Sequence, residues 1–388
     1  MPMPYAEGRV FYDADSHLME LGDWLAGYAD PDIREKLRPI TGAPGLSELL
    51  DKAQARAAAR AEDPEALAKG EERLMTDKGW LAMGAFDPAE RSRVLDLLGF
   101  EAQLVFSTFA PVQYGGRDLD LLYGGTLAHN RAVADFCAHD ERLLPVANVP
   151  LVDPDRARTA LDEALSLGAA AVMVPSTAAG DRSPTHPDLH PFWATLEEAG
   201  VPFVNHIGGG GKILDRAFHN NDMPVVDHLG GGENIRAKDY MAVHHSPEVF
   251  LAAMILDGMF DRFPDLRGGC IEHGALWVPS WMRRLDLAVK SFARTEEPLQ
   301  RLELAPSEYV RRHLKFTPFP DEPVDWLIEQ GGAELFLFSS DYPHPEGGRD
   351  PLRKFRGCLE GVDDEAQERF YAGNFAEMMG MAPVTVAA

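Results

Sequence analysis

The chain has 388 residues, 45% of them hydrophobic and 26% charged, with 35 glycines and 29 prolines, which excludes a coiled coil, a collagen or a wholly disordered chain and leaves a loop-rich globular protein. Its 37 Lys and Arg stand against 62 Asp and Glu, a formal charge of −25 that repels nucleic acid and anionic membrane surfaces alike. Three cysteines without CxxC spacing exclude a thiolate zinc site and a disulfide framework, so a reducing, cytoplasmic setting is expected. No apolar run reaches the ~18 residues of a membrane span.

Strand-like runs, most bounded by Gly, Pro or Asp, fall at 10–15, 102–108, 143–149, 169–174, 201–206, 266–272, 314–317 and 334–340. Several are almost wholly apolar, as strands covered on both faces should be. Between them lie amphipathic segments at 153–167, 187–199, 247–263, 275–292 and 323–331, with leucines and alanines recurring at three and four residues. Eight such alternations predict an α/β fold, a single (β/α)8 TIM barrel spanning residues 1–388; a doubly wound open sheet is disfavoured because the first βα turn reads Asp-Ser-His-Leu rather than a glycine-rich fingerprint. Two long βα-loop insertions are expected after strands 1 and 5, at about 18–93, with a polar helical stretch at 46–74, and at 207–246. A barrel carries its active site on such loops.

Polar residues with metal affinity close several of these runs. The first ends in Asp13-Ala14-Asp15-Ser16-His17, where Asp15 and His17 point to one side of an extended strand and together suit one cation. The alternative is turn or cap chemistry. His206 closes the fifth run, Glu272-His273 the sixth, and the eighth drops from LFLF directly to Ser340-Asp341, where a buried aspartate needs a metal, a donor or water. The glycines at 208–211 before Lys212 do not form a phosphate loop, since His206 and Ile213 occupy its Gly and Ser/Thr positions.

The segments DADSHLME, FVNHIGG, GMFDRFPDLRGGCIEHGALWVPSWMRRLD and FSSDYPHPEG resemble the second amidohydrolase family, the branch of the amidohydrolase superfamily that includes aminocarboxymuconate semialdehyde decarboxylase and γ-resorcylate decarboxylase. The resemblance implies a metal-dependent barrel enzyme in which Asp15, His17, His206 and Asp341 hold the ion and His273 and Asp341 do the chemistry. One divalent ion is expected, zinc before manganese or iron, because the fourth run ends Val174-Pro175-Ser176 without the lysine of a binuclear bridge. The chain departs from the family in beginning Asp-x-His where many members have His-x-His or Glu-x-His, and in its long first excursion. Non-oxidative decarboxylation of a small, carboxylated organic substrate is the leading expectation, with hydrolysis of a C–N, C–O or C–C bond by metal-activated water as the alternative and a catalytically silent binding barrel as a third. Trp277 and His344 are expected to line the pocket, and Arg216, Lys212, Arg236 or Arg349 to meet a substrate carboxylate. Partners are expected to be a small molecule and further copies of the chain, not nucleic acid or membrane.

Overall fold

The computed structural model describes residues 4–40, 45–208, 213–223 and 236–382, with the Arg216 side chain set aside. Its centre is a curled sheet of seven parallel strands in sequential order: β1 (Tyr12–Leu18), β2 (Ala102–Ser107), β3 (Leu143–Asn148), β4 (Ala171–Met173), β5 (Phe203–His206), β6 (Gly268–Ile271) and β7 (Leu314–Phe316). Parallel neighbours require crossovers, and helices supply them. The helix Pro154–Ser166 shows how locally these are encoded. Asp153 caps it by accepting from Arg156 N at 3.1 Å, Pro154 occupies the first turn, and Ala157, Ala160, Leu161 and Ala164 form the buried stripe.

Alternate residues of the strands fill the inside of the curl, including Ala14, Leu104, Phe106, Val146, Met173, Val204 and Ile271. The helix Asn374–Met379 stoppers the end where the strands begin: Phe375 stacks on Tyr12 at 5.1 Å, and Met378 joins the same core. The opposite end, where the strands finish, is left to polar side chains.

Three expectations are modified. The expected eighth strand is irregular, although 335–342 runs between β7 and β1: Leu337 N bonds Phe316 O, Ala14 N bonds Phe338 O, and His17 N bonds Tyr342 O. The reason is chemical, because Ser340 N donates to the Asp13 carboxylate at 2.7 Å instead of to a strand carbonyl, and Asp341 turns to φ 52°. The polar stretch 46–74 is two helices, Leu46–Glu62 and Pro64–Glu72, split where Pro64 prevents continuation and Asp63 caps the second by accepting from Glu65 N. The segment 247–263 likewise breaks at Gly258, which adopts φ 73° between helices His245–Leu256 and Met259–Arg262. Among the described residues no helix is long and apolar enough to cross a membrane.

Candidate metal centre

Asp15 and His17 come from the last half of β1, His206 is the final residue of β5, and Glu272 and His273 directly follow β6. The curl of the sheet brings these ends together. Asp15, His17, His206 and Glu272, all buried, each present a ligand atom within 4.8 Å of the others; His17, Asp341 and His344 form a second group sharing His17. Asp15 Oδ1 lies 3.2 Å from His17 Nε2 and 3.3 Å from His206 Nε2, and Glu272 Oε2 lies 3.3 Å from His206 Nε2.

The surrounding hydrogen bonds decide which lone pairs face inward. His206 Nδ1 sits 2.8 Å from the Ile207 carbonyl, which can only accept, so the proton is on Nδ1 and a neutral ring offers Nε2 to the centre. The same logic applies to His273, whose Nδ1 donates to the Val243 carbonyl at 2.9 Å. Thr108 has one hydroxyl hydrogen; giving it to the Leu18 carbonyl at 2.8 Å leaves it to accept from His344 Nε2 at 2.9 Å. A neutral His344 therefore turns the lone pair of Nδ1 toward Asp341 Oδ1, 3.2 Å away. His17 Nε2 is 3.5 Å from the same oxygen, and neither ring nitrogen of His17 makes a hydrogen bond. Acceptors aimed at acceptors in a buried space are unfavourable unless a cation or proton lies among them, so the donor set fits a divalent metal ion.

Electrostatics agree. Burial is the largest cause that lowers His17 to about 4 and His273 to about 3. Both rings are neutral at pH 7, as metal binding requires. Burial acts to raise Asp15, but positive charge placed at His206 and a proton placed at His17 outweigh it and hold this carboxyl well below the usual range, so the position calls for a cation. The rings are also fixed: His344 stacks on His17 with centroids 3.8 Å apart, and Phe106 packs on His206 at 4.3 Å.

The other expected residues divide. Trp277 is buried between Trp281, Phe316 and His244 and donates to the Gly274 carbonyl at 2.9 Å, a packing position beside the centre. Arg236 is tied to Asp239 at 3.4 Å, and Arg349 is exposed. Lys212, the Arg216 side chain and the glycines at 209–211 lie outside the described residues. Sequence reasoning missed Glu272 as a donor, although it closes β6 just as Asp341 closes the segment 335–342, and at φ 57° it is one of three non-glycine residues with positive φ among those described. It also missed Lys78, which burial lowers to about 8. A cavity of about 540 Å3 opens at the same end of the sheet, bordered by Tyr114, Arg117, Asn148, Met173, Pro175 and Gly208.

Known structures share this fold. An amidohydrolase from Mycobacterium avium subsp. paratuberculosis K-10 is 21% identical, with a TM-score of 0.74 over 97% of this chain and 100% of its own. A 5-carboxyvanillate decarboxylase from Novosphingobium aromaticivorans DSM 12444, complexed with manganese and 4-hydroxy-3-methoxy-5-nitrobenzoic acid, is 17% identical with a TM-score of 0.64 over 98% and 100%. A dihydroxybenzoic acid decarboxylase from Polaromonas sp. JS666, holding manganese and 2-nitroresorcinol, is 16% identical with a TM-score of 0.61 over 96% and 97%. The sequence model of the amidohydrolase family matches residues 12–380, nearly the whole chain, and the chain accordingly belongs to that family and is a metal-dependent enzyme of the amidohydrolase superfamily.

Proposed function

We propose that this enzyme decarboxylates a small carboxylated substrate, an aromatic acid before an unsaturated aliphatic one, without an oxidant. The observation that carries the reading is the buried convergence of Asp15, His17, His206, Glu272 and Asp341 where the strands end, with His273 adjoining. Two decarboxylases of carboxylated aromatics share the fold, and the nearby cavity is of a size for one substituted ring. We further read 335–342 as the eighth stave of a (β/α)8 barrel, with the described parts of 18–93 and 207–246 as insertions walling the pocket.

In this reading Asp15, His17, His206 and Asp341, together with Glu272, hold one divalent ion. When bound, the ion polarises and orients substrate oxygens. An oxygen-rich set with two imidazoles suits manganese or iron as well as zinc, and the two decarboxylases hold manganese. His273 is neutral with its proton on Nδ1, so Nε2 accepts a hydrogen bond from a substrate hydroxyl or takes its proton. A proton taken up from water is relayed through Asp341 to the carbon bearing the carboxylate. The C–C bond then breaks, its electron pair returns to the ring and CO2 leaves, so charge and atoms balance.

Metal analysis of the purified protein should find about one divalent ion per chain. The manganese-, zinc- and iron-loaded forms are then screened for CO2 release from hydroxylated benzoic acids and unsaturated acids, alongside amides, lactones and vinylogous diketones. CO2 release supports the proposal; turnover confined to the hydrolysis panel replaces it with metal-activated-water hydrolysis; a protein that takes up no metal overturns both.

A further inference from the structure

Lys78 lies between the helix Pro64–Glu72 and the turn Gly79–Leu81, in the long connection from β1 to β2. The chain beside it is fixed at two points: Gly79 N donates to the Pro343 carbonyl at 2.8 Å, and Trp80 donates from its indole to the Glu20 carbonyl at 3.0 Å while stacking on Phe109. The Lys78 ammonium is thereby brought to the same loop that carries Asp341 and His344, 5.9 Å from the centre of the Tyr342 ring. Its principal charged neighbours are Asp341 and Glu346. Yet its Nζ is buried and makes no hydrogen bond.

That combination is unusual for a structural lysine. Three donors taken out of water and left unmatched are costly, and a chain with 62 carboxylates has ample means to match them. The neighbouring helix does so: Arg60 donates to both Glu90 oxygens at 2.6 and 2.8 Å. Lys78 instead keeps its donors uncommitted beside the centre while the chain on its C-terminal side is held in place, which is how a site binds a group that arrives and leaves.

We propose that Lys78 is a substrate-binding residue whose ammonium takes the anionic carboxylate of the substrate next to Asp341. The assignment rests on the carboxylated-substrate reading above and supplies the cation that an acidic protein needs to admit an anion. It places the determinant of substrate charge in the β1–β2 connection.

The test uses manganese-loaded protein and two probes that differ only in the carboxylate, 4-hydroxy-3-methoxy-5-nitrobenzoic acid and 2-methoxy-6-nitrophenol, titrated by calorimetry into the wild type, Lys78→Met and Lys78→Arg. The wild type should prefer the carboxylated probe, Lys78→Met should lose about 10- to 100-fold of that preference, and Lys78→Arg should keep most of it, with manganese content unchanged in all three. Acetic anhydride labelling of wild-type Lys78, read by peptide mass spectrometry, needs no variant and should be suppressed by the carboxylated probe only. If the wild type discriminates and Lys78→Met discriminates equally, or labelling is indifferent to the probe, Lys78 is not the anion site although the substrate reading stands. If the wild type shows no preference for the carboxylate, the substrate reading itself fails and takes this assignment with it.

Discussion

Asp13 and Asp15 stand two residues apart on one strand, both wholly buried, and meet opposite surroundings. Asp13 is surrounded by hydrogens: Ser340 N at 2.7 Å, Ser340 Oγ at 2.6 Å and Gln103 Nε2 at 2.7 Å all donate to it. Asp15 faces the Nε2 atoms of His17 and His206, and beyond them Glu272, groups that in their neutral or ionised forms offer lone pairs. Burial pushes Asp13 up to about 7 despite its donors, whereas at Asp15 burial is outweighed by positive charge at His206, the kind of charge an ion among these lone pairs would supply. The pairing register of β1 with β2 shifts between Asp13 and Ser16, which lets adjoining parts of one strand serve these two purposes. Burial alone therefore does not mark a functional carboxylate. What distinguishes the two is whether their neighbours bring hydrogens or lone pairs.

Asp15→Ala should lower metal affinity by at least ~100-fold and abolish turnover, because it removes a ligand shared between two histidine edges. Asp13→Ala should do the reverse, keeping its metal but losing about 2–4 kcal/mol, since Ser340 N, Ser340 Oγ and Gln103 Nε2 are left without their acceptor. Metal content and denaturant midpoints on both variants decide it; equal metal loss in the two would mean that the distinction is false.

Next in size is His273, whose Nδ1 donates to a backbone carbonyl while its buried Nε2 makes no hydrogen bond, so it belongs to the reactive side of the comparison. His273→Asn should lower kcat by about 10²- to 10⁴-fold with most of the metal retained. Should this variant lose its metal while His206→Asn keeps it, the roles given to the two histidines are exchanged.

Much of this was legible beforehand, for definable reasons. Seven strands were readable because a parallel strand buried on both faces is an apolar run with sharp polar ends, and the same contrast exposed His206, His273 and Asp341. Glu272 carried that signal too, but beside a histidine already assigned a role it went unused. Lys78 could not have been found this way: it lies in no strand or motif, and only the pinning of Gly79 to Pro343 brings it to the centre. Nor could the irregularity of 335–342 be anticipated, because it depends on Asp13, more than three hundred residues earlier, accepting Ser340 N.

Glu322 is a structural carboxyl like Asp13, and its effect on stability appears only as pH changes. Like Asp13 it is buried among donors, accepting from Ala275 N at 2.8 Å and Phe319 N at 3.2 Å, and it thereby holds the turn that follows His273. Gly274 in that turn has φ 64°, and a Cβ there would meet Glu322 Oε1 at 2.8 Å, so the carboxyl and the glycine fit as a unit. Burial raises Glu322 from 4.5 to about 7, with the N–H donors only partly opposing it. A carboxyl whose pKa is higher folded than unfolded binds its proton more tightly in the folded state. Its contribution to stability is therefore complete below about pH 4.5 and is lost as pH rises through about 7. Glu322→Gln removes that titration. The stability of the wild type relative to this variant should fall by something of the order of 3 kcal/mol between pH 4.5 and 8, most of it before pH 7. Urea unfolding of both proteins across that range measures the difference, and parallel profiles would show that the Glu322 carboxyl is not held in its protonated form by the fold.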